Sequence, residues 1–468
     1  MNKSKQLIKN TIILSFGNLS TKILTFLLLP LYTAVLSTDD YGLIDVLITF
    51  SGLLVPFVTM EMGSGVFRFL IEKETILEKK QVISTGIISS LVGISISTIL
   101  ILIVSVFYKI PHFTAFLMYY STTSLLVIVS NIIRGFGNNV LYSFSNFIIT
   151  LSSLILNVIF IVCLKKGAVS ILISASIGNT IGISLMIIGE KLWKYIAVKN
   201  FDKITYKDIT EYTLPLIPNT VSWWVVSASD RLIILLFLGA SANGIYAISN
   251  KIPGIYATLF TVYNLAWTES VLRNESDSFF VENTFHKSVT IMSYTILGII
   301  ICTSLFFNKL IGPNYQDSYW HIFILLISIF LSSCSSLLGA ILSAKYKSKM
   351  IMKTTIVGAL LNILLNFVGI KIIDLYAASL STLISYFVIL CVRLNNCKQW
   401  YNLKLYKRED ILFIPLIVLT IFSFSIRNIW LNITSIFCIV LLFSIQNYKS
   451  ILSGFKLLLN KIQNLKRN

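Results

Sequence analysis

Charge is scarce in this chain. Only 12% of its 468 residues are Asp, Glu, Lys or Arg, and 56% are hydrophobic; a soluble globular protein carries about 25% charged residues. No segment between the apolar runs is long enough to be a soluble domain. Histidine occurs three times, at His112, His286 and His321, too scattered for a metal site. The six cysteines (Cys163, Cys302, Cys334, Cys391, Cys397, Cys438) lie in or beside apolar runs and form no CxxC, which argues against zinc and disulfides. There is no GxxxxGKS or GxxxxGKT phosphate loop and no HExxH, so direct ATP use and zinc hydrolysis are not expected. Nor is there a Ser-His-Asp set. The expectation is a protein without catalytic residues, cofactor or metal.

What is present is apolar sequence at spanning length. Runs close to the ~20 residues a bilayer needs recur at 11–36, 43–69, 83–107, 114–136, 143–164, 169–189, 212–238, 244–268, 285–307, 320–343, 352–370, 375–393, 411–427 and 429–446. They lack the alternation of outer-membrane barrel strands. The fold class is therefore an all-α polytopic membrane protein of about 14 transmembrane helices. Net charge is +18, yet nucleic acid is not the expected partner, because the basic residues fall in alternate loops. One set of loops holds only Lys109, Lys165, Lys166, Lys309, Lys371 and Arg427, while Lys73, Lys79, Lys80, the run Lys191 to Lys207 and Lys345 to Lys353 fall in the other. The positive-inside rule places both termini in the cytoplasm. The basic start MNKSKQLIKN precedes an apolar run too long for a signal peptide.

An internal repeat divides the chain. Asn18 and Asn219 stand early in spans 1 and 7, and Tyr41-Gly42 and Asn243-Gly244 follow at nearly equal distance. Asn157 and Asn366 each precede an alanine, Ala168 and Ala377, by the same interval. Two pseudo-symmetric six-helix bundles follow, 1–200 (spans 1–6) and 201–400 (spans 7–12), with spans 13–14 at 401–446. Spans 13 and 14 are joined only by Arg427 and Asn428, so a single broken element is the alternative. Residues 447–468 read as a basic amphipathic tail on the cytoplasmic leaflet, or as a frayed end. Parallel repeats of this kind in transporters place the substrate path at the bundle interface.

The candidate site starts from Asp230 and Arg231, adjacent inside the apolar run Val221 to Leu238. Each costs about 2.5–3.5 kcal/mol at a bilayer centre. With Asn219, Thr220, Trp223, Trp224 and Ser227 they form one helical stripe. A polar stripe on a membrane helix faces protein or water; a buried structural pair is the alternative. In span 1, Asn18 and Lys22 share a face, and Lys22 lies ~18 Å along the helix from Asn10, too deep to snorkel easily. Lys251 lies in span 8. Glu61 and Arg68 share a face of span 2, and with Arg134 they are candidates for an inner mouth or gate, unless the arginines merely snorkel. Basic residues around a low-dielectric cleft attract anionic cargo. Trp223 and Trp224 suit sugar rings, or else pack against lipid.

The stretch LPLIPNTVSWWVVSASDRLIILLFLGASANGIYAISNKI (214–252) resembles the bacterial oligosaccharide flippases, the Wzx-type polysaccharide biosynthesis transporters. The resemblance rests on Asp230, Arg231, Gly239, Gly244, Tyr246 and Lys251. Gly17-Asn18, Leu29-Pro30-Leu31-Tyr32, Leu36-Ser37, Tyr41-Gly42 and Arg134-Gly135-Phe136-Gly137 support it, and it covers spans 1–12. Asn138 stands where the family often has lysine, which puts a phosphate contact at the inner mouth in doubt. The resemblance implies the fold of the multidrug/oligosaccharidyl-lipid/polysaccharide exporter superfamily. It also implies transfer of an undecaprenyl-pyrophosphate-linked oligosaccharide, such as an O-antigen or capsule repeat unit, between leaflets of the bacterial cytoplasmic membrane. Lipid-linked oligosaccharide and membrane lipid would then be partners, with polysaccharide polymerase and chain-length proteins further along. A cation-coupled drug exporter of the same superfamily is the alternative, and a membrane polymerase is disfavoured by the short loops.

Overall fold

The computed structural model describes residues 21–446, with all side chains in that range except those of residue 219, residues 222–227 and residues 408–409. Asn18 and the tail 447–468 lie outside the described residues. The described residues are helical and contain no strand. The first half of the chain forms α1 (Thr21–Val35), α2 (Thr38–Val58), α3 (Met62–Glu72), α4 (Ile76–Phe107), α5 (Phe113–Gly135), α6 (Asn139–Val158), α7 (Val169–Glu190) and α8 (Lys203–Thr213). Next come α9 (216–238) and α10 (240–249), separated only by Gly239 at φ 86°. Then follow α11 (Lys251–Arg273), α12 (Ser278–Leu310), α13 (Ser318–Ala344), α14 (Ser348–Ile373), α15 (Tyr376–Cys397), α16 (Phe413–Ile426) and α17 (Ile429–Gln446). Among the described residues, 11 helices are long and apolar enough to cross a membrane, and Thr21–Val35 and Asp410–Ile426 are shorter apolar helices. The last two spans are distinct helices, since Arg427 at φ 57° ends α16.

Local chemistry sets the helix starts. Ser37 Oγ accepts from Asp40 N at 3.1 Å and caps α2, whose first turn also carries Asp39 and Asp40 opposite the helix dipole. Thr75 and Glu78 form a reciprocal capping box on α4. Asn138 Oδ1 accepts from Leu141 N at 3.1 Å at the start of α6. Asp202 Oδ2 accepts from Thr205 N at 2.8 Å at the start of α8.

Span 2 departs from the sequence expectation. The single run 43–69 is two helices, broken where Met60 (φ 49°) and Glu61 (φ 53°) are both left-handed. Neither is glycine, so each costs about 1–2 kcal/mol. Pro56, inside α2, has no N–H to give to the preceding turn and weakens the helix just before the break. Gly93 on α4 lets the Val58 carbonyl swing outward; a Cβ there would sit 2.0 Å from that oxygen. Hydropathy does not register backbone handedness, so the break is invisible to an apolar-run reading.

The chain forms two compact units. One consists of the described part of Met1–Val262 with Ile311–Ile322 and Ala359–Ser381. Its core at the lysine-rich end gathers Met62, Val66, Leu70, Ile83, Ile128, Ile132, Met186 and Ile209, all fully or nearly fully buried. Gly65 admits α8 into this core, for a Cβ there would lie 2.6 Å from both Ile209 and Thr213. The other unit consists of Tyr263–Leu310, Phe323–Gly358 and the described part of Thr382–Asn468. In it α16 and α17 pack on α12 through Tyr294, Leu297, Ile301, Phe413, Leu416 and Ile439. Ile96, Ile99, Ile103 and Phe107 of α4 stay exposed, an apolar exterior suited to lipid.

Candidate functional site

The site lies inside the first unit, toward the lysine-poor end. The repeat markers found in the sequence meet each other there. A Cβ on Gly42 would sit 1.9 Å from Ala240 O, and one on Gly244 would sit 2.1 Å from Thr38 O. Helices α2 and α10 therefore cross with backbone against backbone, which only glycine permits. Asn243 Nδ2 donates to Gly42 O at 3.0 Å, and Thr38 Oγ1 and Ser241 Oγ are 2.6 Å apart. Gly312 approaches Thr33 O in the same manner. Tyr315 OH donates to Ser37 O at 2.9 Å and lies 3.2 Å from Leu36 O. Its ring completes the series Tyr32, Tyr41, Tyr315, with centroids 5.8 and 6.3 Å apart in turn. This seam joins α1, α2, α10 and the segment carrying Tyr315 at the lysine-poor end of the unit.

Beneath the seam, Asp230 and Arg231 part company. The 100° step along α9 aims them at different neighbours. Asp230 Oδ2 accepts from Tyr246 OH at 2.8 Å, and Oδ1 accepts from Asn366 Nδ2 at 2.9 Å. Arg231 Nε lies 2.7 Å from Asp45 Oδ2 on α2, with the two side chains 23% and 12% exposed. The two side chains form a close ion pair between α9 and α2. Asp45 was missed by the sequence reading. The rule that singled out Asp230, a carboxylate inside an apolar run, applies equally to it.

Lys251 opens α11 just past the break at Asn250. Its Nζ stands 5.7 Å from the centre of the Tyr41 ring, near enough to Asp45 to attract it and to Arg231 to repel it. Lys22 on α1 is near enough to Lys251 for their charges to repel. Both lysines are exposed, so they border open space rather than packed protein. Arg231 and Lys251 thus flank Asp45, Lys22 stands near Lys251, and with Asp230 also acting on Arg231 the group of three cations and two carboxylates keeps a net positive charge in a low-dielectric setting.

The other candidates are placed differently. Asn219, Trp223 and Trp224 lie on α9, but their side chains are outside the described residues, as is Asn18 altogether. Glu61 sits at the break in span 2, where its Oε2 accepts from Ser64 Oγ at 2.8 Å. Arg68 pairs with Glu72 at 2.8 Å on an exposed turn. Arg134 stands between two rings, 4.9 Å from Phe67 and 5.7 Å from Tyr142. Arg68 lies past the break at Met60 and Glu61, and neither it nor Arg134 is among the charges that act on Arg231, Lys251 or Lys22. The arginines at the lysine-rich end are therefore no part of the basic cluster. Among the described residues no group of histidine, cysteine and carboxylate side chains could hold a metal ion.

Comparison with known proteins agrees with this architecture. The family model described as polysaccharide biosynthesis protein matches residues 7–268. An uncharacterized membrane protein of Methanocaldococcus jannaschii is 22% identical over 400 residues, which is 81% of this chain and 95% of that one. The structure of the lipid II flippase MurJ in an inward closed conformation superposes with a TM-score of 0.69 at 17% identity, covering 94% of this chain and all of MurJ. An inward-facing multidrug resistance transporter of the MATE family, of the MOP superfamily, superposes with a TM-score of 0.64 at 14% identity, covering 82% of this chain and 94% of that one. This multi-pass membrane protein has the MOP superfamily fold and belongs to the polysaccharide biosynthesis protein family.

Proposed function

We propose that the protein is a flippase for an undecaprenyl-pyrophosphate-linked oligosaccharide and that Lys22, Arg231 and Lys251 receive the pyrophosphate. The observation that carries this reading is the cluster itself, in which Arg231 and Lys251 flank Asp45 and Lys22 stands near Lys251, with both lysines open to space. Such a group attracts an anion strongly where water is limited. The family, named for polysaccharide biosynthesis, and the likeness to the lipid II flippase support a glycan-bearing lipid as cargo. A cation-coupled drug exporter would favour acidic residues in the cavity, and here basic residues dominate.

The geometry supports a mechanism in which cargo unlocks the seam. Without cargo, Asp45 on α2 holds Arg231 on α9 and so ties the two repeats together. A pyrophosphate offers Arg231 a bidentate, doubly charged partner, which displaces Asp45. Loss of that tie leaves the glycine crossing and its few hydrogen bonds to hold the seam, and the lysine-poor end opens. Alternating access then carries the headgroup from the cytoplasmic to the outer leaflet of the cytoplasmic membrane. In this reading the lysine-rich loops and both termini are cytoplasmic, and an ion gradient or mass action drives transport. A polysaccharide polymerase would consume the delivered units.

Cells expressing Lys22→Ala or Arg231→Ala provide the test. Surface polysaccharide should fall while lipid-linked oligosaccharide accumulates in the inner leaflet. Normal export at normal protein level would contradict the assignment.

A further inference from the structure

The linker between the two repeats is tied down more firmly than a connection requires. It runs from the end of α7 at Glu190 to the start of α8 at Lys203, and Lys191 at φ 53° turns its backbone. Leu192 is fully buried. Ser84 on α4 donates to Tyr195 O at 2.8 Å and accepts from Ala197 N at 3.1 Å. Thr85 accepts from Asp202 N at 3.1 Å. Both hydroxyls lie on the stretch of α4 from Val82 to Ile87, in which every residue is buried. These pins also set the depth of the linker. From Thr85 to the end of α4 at Phe107 the helix rises about 33 Å, close to the ~30 Å of a bilayer's hydrocarbon core. The exposed apolar residues Ile96, Ile99, Ile103 and Phe107 lie along that rise. With α4 crossing the bilayer, 195–202 runs at the edge of the hydrocarbon on the lysine-rich side.

The side chains suit that level. Trp193, Val198, Phe201 and Ile204 are exposed, Val198 by 81% and Ile204 by 72%. Interleaved with them, Lys191, Lys194, Lys199, Lys203 and Lys207 are exposed as well. Asp202, the acid within this row, is occupied by Thr205, whose N–H and Oγ1 donate to Oδ2 at 2.8 and 2.6 Å. The acids at its ends are Glu190, which accepts from Asn138 Nδ2 at 2.8 Å, and Asp208 and Glu211, the latter 3.8 Å from Lys207. A tryptophan and aliphatic side chains at the hydrocarbon edge anchor a segment at the headgroup level. Lysines beside them attract anionic headgroups. A soluble acidic partner would meet the lysines but would give the apolar row no reason to sit at that depth.

We propose that the linker 191–204 is a docking surface for the anionic phospholipid of the leaflet on the lysine-rich side. Trp193, Val198, Phe201 and Ile204 enter the interface, and Lys194, Lys199 and Lys203 gather the headgroups. Bound lipid then holds the connection between the repeats at one depth. The surface requires a bilayer and does not rest on the flippase reading.

The experiment reads quenching of Trp193 fluorescence by brominated phosphatidylglycerol and brominated phosphatidylcholine, with the full chain in nanodiscs. Subtracting the Trp193→Phe signal isolates this tryptophan from the other six. The parent should favour phosphatidylglycerol about fivefold, and salt should weaken the preference. The triple variant Lys194→Gln, Lys199→Gln, Lys203→Gln should bring the ratio to about one, and the same three positions changed to arginine should keep it. Lys199→Gln alone should lose about half of the preference, which serves as the readout should the triple variant fail to fold. Absence of quenching by either lipid would place Trp193 clear of the bilayer and overturn the proposal. Equal quenching by both lipids in the parent would also overturn it and leave the lysines to an acidic soluble partner. A preference that survives in the folded glutamine variants would overturn the role of the lysines and the proposal with it.

Discussion

Two arginines inside apolar helices have opposite surroundings. Arg393 on α15 belongs to the second unit and is 7% exposed. Its Nε donates to Thr354 Oγ1 at 3.0 Å. Nη1 donates to Ser335 O at 3.0 Å and lies 3.2 Å from Ser335 Oγ. Nη2 donates to Thr355 Oγ1 at 3.0 Å and lies 3.4 Å from Ile351 O. Gly339 leaves room for it, since a Cβ there would stand 3.1 Å from Nη1. The donors of Arg393 are thus spent on neutral oxygens of α13 and α14. Arg231 in the first unit has one close carboxylate, a neighbouring lysine that repels it, and a side chain 23% exposed. A buried charge whose hydrogen bonds are complete is a cross-link; the crowded, half-open Arg231 is the one proposed to receive an anion.

The contrast breaks if both kinds of cation behave alike on substitution. Arg393→Met leaves two carbonyls and three hydroxyls of α13 and α14 without their donor. It should destabilise the protein by about 3 kcal/mol or more, read as a large fall in Tm in detergent. Lys251→Ala removes an exposed, repelled charge and should change stability by no more than about 0.5 kcal/mol while abolishing export. Comparable Tm losses for the two would erase the distinction between cross-link and receptor.

The seam supplies the next test. Thr38 and Ser241 hydroxyls are 2.6 Å apart, so Thr38→Cys with Ser241→Cys places two thiols within disulfide reach. Oxidation should stop export by tying α2 to α10, and reductant should restore it. Export that continues through a complete cross-link would mean that the seam does not open. The smallest effect is expected at the lysine-rich end. The carboxyl of Asp202 is held below the usual carboxylate range, first by the Thr205 hydroxyl and then by backbone N–H groups. A depressed folded value means that the cap stabilises α8 above about pH 4 and fades as pH falls through the folded value. Asp202→Ala should therefore lower Tm slightly at pH 7, with the difference from the parent shrinking in acid.

Much of this was legible in the sequence. Spanning length and loop charge indicated a polytopic helical protein. The recurrence of Tyr41-Gly42 and Asn243-Gly244 marked the two helices that cross at the seam. Lys22, Arg231 and Lys251 stood out because charge is costly in lipid. Less visible were the pairings. Adjacent in sequence, Asp230 and Arg231 suggest a pair, yet the helical turn sends one to Tyr246 and Asn366 and the other to Asp45. Arg393 sits near a helix end, where snorkelling is the ordinary expectation, and only the packing of three helices reveals its cross-link. The left-handed pair Met60 and Glu61 carries no glycine signal, so the break in span 2 required coordinates.

The central claim is that Lys22, Arg231 and Lys251 bind the pyrophosphate of a lipid-linked glycan. Its most direct measurement is the affinity of the purified full chain for undecaprenyl pyrophosphate and for undecaprenol, compared with the Lys22→Ala, Lys251→Ala double variant. The account predicts at least about a tenfold loss for the pyrophosphate, which corresponds to about 1.4 kcal/mol, a weaker dependence on salt, and no change for the alcohol. Equal affinity of parent and variant for the pyrophosphate would contradict it.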